Sequence, residues 1–336
     1  MAPEGGLDFV MNRCWWDGRR VLVAGGAGFI GSHLVELLLE AAPRARVTVA
    51  GSITAVGRRN LKAVLKKVRL VKADLRDLSS CRRACRGQDV VLNLAAKVGG
   101  VHYNSVHHGS LFRDNMLLAM SMIEAARLEK VKRYLVVSSA CVYPRDCAVP
   151  TPESEGLRGR PEATNEGYGW SKRMAEYLGK AYADEYGMSV AVARPYNAYG
   201  PRDDFHPESS HVIAALVRRA CEGEAPLVVW GDGRATRSFL YVEDFARGLL
   251  EVAERGPVGE PLNVGADSEV SVRELAGMIA RLAGGGARLR FDPSKPSGQL
   301  RRGCDATRIR KTLGFKTRVS LKEGLARTIA WYRANS

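Results

Sequence analysis

Tyr168 and Lys172 stand four residues apart where the chain reads as the start of a helix, so their side chains share a face. A tyrosine at its unperturbed pKa of about 10 is a poor base. A nearby ammonium favours the phenolate and equips it to pass a proton to or from a substrate oxygen. Ser139, at the end of an apolar run, can hydrogen-bond the same oxygen. Such a trio serves a carbonyl–alcohol interconversion if a hydride carrier lies alongside. A YxxxK spacing alone is common in helices, so its meaning depends on the elements around it.

Those elements begin with Arg20–Ala24, a valine-rich run suited to a strand buried on both faces. Gly25, Gly26, Ala27, Gly28, Phe29, Ile30 and Gly31 follow, then a helix over Ser32–Glu40. A GxGxxG between strand and helix is a dinucleotide fingerprint. Its glycines let the backbone approach a diphosphate, and the helix N-terminus offers N–H groups and a positive dipole end. NAD sites usually carry an acid about 20 residues later for the ribose. Here no acid occurs between Glu40 and Asp74, whereas Arg44, Arg46, Arg58, Arg59 and Lys62 do. NADP is therefore expected, with Arg58 or Arg59 on the extra phosphate and NAD as the alternative. Asp74 and Leu75 are placed near the adenine, and Ala95, Ala96 and Lys97 near the end of the fourth strand.

Further strands are expected at Val47–Ala50, Arg69–Lys72, Asp89–Leu94, Tyr134–Val137 and Val190–Ala193, with long helices at about Asn115–Leu128 and Tyr168–Tyr186. Alternating strands and helices predict an α/β fold, a Rossmann-type doubly wound parallel sheet. The last third differs. Ser209–Cys221 reads as helix, Leu227–Trp230 as strand, Ser271 with Glu274 as a capping box, and Leu321–Tyr332 as a closing helix. The expected organisation is an extension over 1–18, poorly ordered; a dinucleotide-binding domain over 19–195, joined by some later segments; and a smaller α/β substrate-binding domain over 196–336.

The 336 residues suffice for about two domains. Seven cysteines, an odd number without CxxC, indicate neither a disulfide framework nor a metal site. No run of about 18 apolar residues is present, so no membrane association is expected, and the N-terminus lacks a signal pattern; a cytoplasmic location is expected. The net charge of +15 raises nucleic acid as a partner. The cations are scattered and no nucleic-acid module is evident, so none is expected. A positive field also suits substrates and cofactors that carry diphosphates.

The segments GGAGFIGSHL (25–34), NLAAKVGG (93–100), VSSACVYP (137–144), YGWSK (168–172), RPYNAYGPRDDF (194–205) and GDGRATRSFLYVED (231–244) resemble the extended short-chain dehydrogenase/reductases of the nucleotide-sugar branch. AAKVGG, PTPESE, ATNEGYG, DDFHPESSHVIAAL and FDPSKPSGQLRR are similar to the GDP-L-fucose synthase family, which are GDP-4-keto-6-deoxymannose 3,5-epimerase/4-reductases. That resemblance implies an enzyme that epimerises a GDP-linked 4-keto-hexose of the mannose series at C3, at C5 or at both, and reduces C4 with NADPH. It matches Cys141 and His211 to the cysteine and histidine that epimerise C3 and C5. A C4 ketone acidifies those C–H bonds, and the enolate oxygen falls to Ser139, Tyr168 and Lys172. The resemblance further implies that Asn197, Val212, Leu216, Arg219, Trp230, Arg237 and Lys295 hold the GDP part, and that the protein is a homodimer through its two long helices.

A second family, the GDP-mannose 3,5-epimerases, is similar in MIEAARLEKVKRYLVVSSACVYP and VVWGDGRATRSF. Those enzymes are redox-neutral, with tightly bound NAD. They carry a lysine where His211 stands and an acid after the second strand, and both differences favour the first family. A catalytically silent NAD(P)-binding regulator is a third reading, opposed by the intact Cys141, Tyr168, Lys172 and His211.

Overall fold

The computed structural model describes residues 12–286, 288–295 and 299–336. The short apolar runs become seven parallel strands. They are β1 (Arg20–Ala24), β2 (Arg46–Gly51), β3 (Val68–Lys72), β4 (Val90–Asn93), β5 (Arg133–Val137), β6 (Val190–Pro195) and, far along the chain, Pro261–Val264. Their order across the sheet is Pro261–Val264, β6, β5, β4, β1, β2, β3. The helices used below are α1 (Arg13–Trp16), α2 (Phe29–Ala41), α3 (Ala55–Asn60), α4 (Leu78–Cys85), α5 (Val101–Val106), α6 (His108–Leu128), α7 (Glu166–Tyr186), α8 (Val212–Cys221) and α9 (Val242–Arg255).

Successive strand side chains point to opposite faces, and both faces are covered. Val21 and Val23 pack with Leu34 and Leu38 of α2 and Leu249 of α9. Leu22 and Ala24 pack with Cys81 and Cys85 of α4, Met122 and Ile123 of α6, and Ala175 of α7. The chain leaves β1 toward β2 and β3, then crosses back to β4 on the other side. Ligands of such sheets bind in the crevice at the strand ends where the order reverses. Gly25 marks that place, because a Cβ on it would lie 3.0 Å from the backbone of Ala95 at the end of β4.

The remainder of the chain builds a smaller layer. Leu227–Trp230 pairs with Leu289–Asp292, and Asn197–Tyr199 with Phe239–Tyr241. A third core joins Val217 of α8 to Leu227, Leu275, Ile279 and Leu325. The expected capping box forms: Ser271 Oγ accepts the Glu274 amide at 3.1 Å, and the Glu274 carboxylate accepts the Ser271 amide at 3.0 Å.

Several element ends differ from expectation. α6 starts at His108 rather than near Asn115, since its first turns carry the weak helix formers His108, Gly109 and Ser110. α7 starts two residues before Tyr168. α8 starts at Val212, because Ser209 is taken into a turn by the Asp204 carboxylate at 2.5 Å. The N-terminal extension was expected to be poorly ordered. Residues 1–11 of it lie outside the described residues, but Trp16 is fully buried and donates its indole N–H to Glu254 at 2.9 Å. No helix among the described residues is long and apolar enough to cross a membrane.

Candidate active site

The first turn of α2 closes over the end of β1. A Cβ on Gly31 would lie 2.4 Å from the Gly25 carbonyl, so only glycine permits this approach. Gly28 caps the helix with no side-chain bond, which leaves the first-turn N–H groups to an outside anion. The residues therefore fit a dinucleotide diphosphate. α3 sits on the same turn: Asn60 donates to the Ala27 carbonyl at 3.1 Å, and Thr54 caps α3 through the Gly57 amide at 3.1 Å. Arg58 and Arg59 are exposed on α3 and make no ion pair with any described residue. Asp74, in contrast, is half-exposed and paired with Arg76 at 2.7 Å, while Leu75 is buried. Side-chain bonding to Arg76 holds the Asp74 carboxyl down at about 2. Ala95 and Ala96 follow β4, and Lys97 is drawn to Asp114 at 2.9 Å.

The reactive residues converge from β5 and α7. Ser139 leaves β5 and accepts the Cys141 amide at 3.1 Å, which winds Ala140–Val142 into a single turn. Gly169 of α7 presses against this turn, with the Cys141 carbonyl 2.5 Å from where a Cβ would be. Tyr168 beside it is buried, with its phenol on the Ser139 side. Lys172, one helical turn on, is also buried; its Nζ lies 5.4 Å from the Tyr168 ring centre and donates to the Val137 carbonyl at 2.8 Å.

Burial pushes the Tyr168 phenol well above its ordinary value, and the neighbouring Cys141 adds to this, against the pull of the Ser139 hydroxyl. Burial pushes Lys172 down to about 8, opposed by Cys141 and Glu176. Burial therefore dominates the Tyr168 phenol among the protein groups, where lowering by the Lys172 ammonium is the expectation. At neutral pH the pair is a neutral phenol with an ammonium close to titration. That combination suits donating a proton to a carbonyl oxygen.

His211 caps the N-terminus of α8. It is exposed to solvent, while desolvation by the protein around it lowers its imidazole pKa against the pull of Asp204. A Cβ on Gly100 would lie 3.1 Å from the Ser209 carbonyl and 3.4 Å from that of Ser210, so the loop after β4 reaches across to this segment. Among the residues assigned to the nucleotide, Trp230 is half-exposed and its ring centre lies 6.0 Å from Lys295 Nζ. Arg237 is pushed down to about 10 by burial and then by Arg302. Asn197 donates to the Ser238 carbonyl at 2.9 Å, and Val212 is exposed at the start of α8. Arg219 turns to Glu224 at 2.6 Å, and Leu216 faces the third core.

Sequence reasoning missed the buried charges that support this site. Arg173, 1 % exposed, donates to the carbonyls of Val142, Gly159 and Arg158 at 2.7, 2.6 and 2.9 Å. Glu176 binds the Arg194 guanidinium in two places, at 2.8 and 2.7 Å, and accepts from Ser138. The available signal was the 172, 173, 176 spacing, which puts three charges on a helix side that the sheet must cover.

Residues 21–265 match the NAD dependent epimerase/dehydratase family. The GDP-L-fucose synthase of Escherichia coli (strain K12) is 36 % identical over 330 residues, covering 94 % of this chain and 97 % of that protein. The dTDP-4-dehydro-6-deoxy-D-allose reductase of Streptomyces sp is 34 % identical, covering 95 % and 97 %. Among solved structures, the epimerase Mth375 of Methanothermobacter thermautotrophicus superposes with a TM-score of 0.86 at 28 % identity, covering 98 % of this chain and 96 % of that one.

The lowered Lys172 sets a pH limit. Its charge is present below about pH 8 and lost above it. The rate of carbonyl reduction, as kcat/KM, is expected to fall as pH rises through about 8. In Lys172→Arg, slower but permanently charged, that alkaline limb should move upward; an unmoved limb would assign it to another group. The glycine turn, the buried tyrosine–lysine pair and the family match agree, and the chain belongs to the NAD dependent epimerase/dehydratase family, as an NAD(P)-dependent extended short-chain dehydrogenase/reductase.

Proposed function

We propose that the protein is a GDP-4-keto-6-deoxymannose 3,5-epimerase/4-reductase that consumes NADPH. The observation that carries this reading is the cluster of Ser139, Cys141, Tyr168 and Lys172 around one buried phenol. The E. coli relative supports it over the redox-neutral alternative. In this reading the 19–195 part holds the dinucleotide and the 196–336 part mainly the nucleotide sugar.

Tyr168 and Ser139 hold the C4 oxygen of the sugar, with Lys172 supplying positive charge beside it. Cys141 and the neutral His211 approach from opposite faces, and take and return the protons at C3 and C5. The enolate oxygen formed in between is stabilised by Tyr168 and Ser139. The glycine turn at the start of α2 would hold NADPH, which would supply the hydride for reduction at C4. Tyr168 then gives its phenolic proton to O4 and regains one through Lys172. Trp230, Lys295 and Arg237 are assigned to the GDP, together with Asn197 and Val212. Arg219 joins them only by leaving Glu224, and Leu216 acts as packing beneath.

Arg58 and Arg59 are assigned to the 2′-phosphate of NADP, since α3 rests on the glycine turn and both arginines are exposed there. The double substitution to alanine is expected to raise KM for NADPH about 10-fold or more, the worth of one charge-assisted bond, and to leave KM for NADH nearly unchanged. Equal losses for both cofactors would place the phosphate elsewhere.

The outer sides of α6 and α7 expose Phe112, Leu117, Met120, Tyr177 and Tyr186. We assign this apolar area to a second copy of the chain, giving a homodimer. Sedimentation should return twice the chain mass, and Met120→Asp should return the single mass; a monomeric wild type would refute the assignment. The seven free thiols fit the cytoplasm, where cysteines stay reduced.

The reaction itself is tested by NADPH absorbance with GDP-4-keto-6-deoxymannose. Stoichiometric NADPH loss is expected. No loss, with turnover of GDP-mannose in the presence of NAD, would make the protein the redox-neutral epimerase. Cys141→Ser should keep NADPH affinity while losing epimerised product. Normal yields of that product would remove Cys141 from proton transfer.

A further inference from the structure

The segment that leads to His211 hangs from the cofactor helix. Arg202 adopts a left-handed backbone, φ +68°, which a non-glycine residue takes only when its surroundings impose it. Its Nη1 donates to Ser32 Oγ at 3.0 Å, and its Nη2 donates to both carboxylate oxygens of Glu36 at 2.9 and 2.8 Å. Ser32 directly follows Gly31, so this clamp grips α2 within the turn that closes the dinucleotide site. Beside it, buried His33 has Nε2 2.9 Å from the Pro201 carbonyl. Burial, and then the Arg202 charge, push that imidazole down to about 4, so it is neutral and its Nε2–H donates.

Beyond Arg202 the chain is braced. The Asp204 carboxylate accepts the His206 amide at 2.9 Å and the Ser209 hydroxyl at 2.5 Å. The Ser210 amide donates to the His206 carbonyl at 3.0 Å. The next residue is His211. A short, bonded segment thus links the N-terminal end of α2 to His211.

We propose that Arg202 is a positioning residue that couples occupancy of the dinucleotide site to the placement of His211, so that bound cofactor readies the protein for proton transfer at carbon. This rests on the epimerase/reductase reading. The coupling can be read apart from reduction, because exchange of ring protons in a 4-keto sugar needs no hydride. Oxidised NADP+ occupies the site and cannot reduce the ketone.

Two readouts test it. The first is deuterium uptake from solvent into GDP-4-keto-6-deoxymannose, with and without NADP+. In the wild type NADP+ should speed uptake about 5-fold or more, the lower range of ordinary site-to-site coupling. In Arg202→Ala the rates with and without NADP+ should be equal. Arg202→Lys, which keeps the charge but not the two-pronged contact, should retain part of the stimulation, and Glu36→Gln should weaken it from the other side. The second readout is the His211 imidazole signal in NMR, assigned with His211→Gln. NADP+ should shift it in the wild type and not in Arg202→Ala, with NADP+ binding and melting temperature confirming a folded variant. A His211 signal indifferent to NADP+ in the wild type, or full stimulation kept in Arg202→Ala, overturns the proposal. A shifted His211 signal without any deuterium uptake would keep the coupling and reject the sugar reading.

Discussion

One ion pair away from water, Glu176 with Arg194, sets the frame for the site. Both side chains are almost fully buried, and the two bonds between them tie α7 to β6. Ser138, at the end of β5, completes the same carboxylate. The two elements that carry the reactive groups, β5 and α7, therefore meet β6 at one charge. Removing one member of such a pair typically costs about 3–5 kcal/mol, because the other is left uncompensated. The tie also fixes direction. With Glu176 held, Lys172 one turn earlier must lie against the Val137 carbonyl, and Tyr168 another turn earlier must meet Ser139. Arg173 extends the arrangement outward, holding the Val142 and Arg158–Gly159 backbone that flanks Cys141.

Burial then decides the chemistry. The same desolvation that raises the Tyr168 phenol lowers the Lys172 ammonium. A protonated phenol beside a cation near titration is arranged to give a proton to a developing alkoxide. At His211 the surrounding protein favours the neutral imidazole, which in the proposed reading accepts a proton from carbon. The positive total charge belongs to the same picture, since scattered arginines favour a substrate and a cofactor that both carry diphosphates.

Much of this was legible in the sequence because it rests on local rules. Valine runs, the Gly26–Gly28–Gly31 spacing and the Ser271–Glu274 box each have a local physical cause, and each stands where the residues put it. The cluster of Ser139, Tyr168 and Lys172 was legible from spacing, and Cys141 from resemblance. What was not legible depends on contacts distant in sequence. Pro261–Val264 completes the sheet beside β6 although nearly seventy residues separate them. Arg173 and Glu176 look like a solvated helix face until the sheet covers them. Arg219 lies on the helix that His211 caps, yet its charge is taken up by Glu224 just beyond the helix end. Arg202 gives no sign in sequence of its grip on α2, 166 residues earlier.

The central claim is that one site moves both protons at carbon and a hydride. The most direct test is the NMR spectrum of the sugar product formed by wild-type protein from GDP-4-keto-6-deoxymannose and NADPH in deuterated water. The account predicts deuterium at C3 and C5, with both centres inverted and C4 reduced. A reduced product with protium retained at both carbons would contradict it, and would leave Cys141 and His211 without the roles assigned to them.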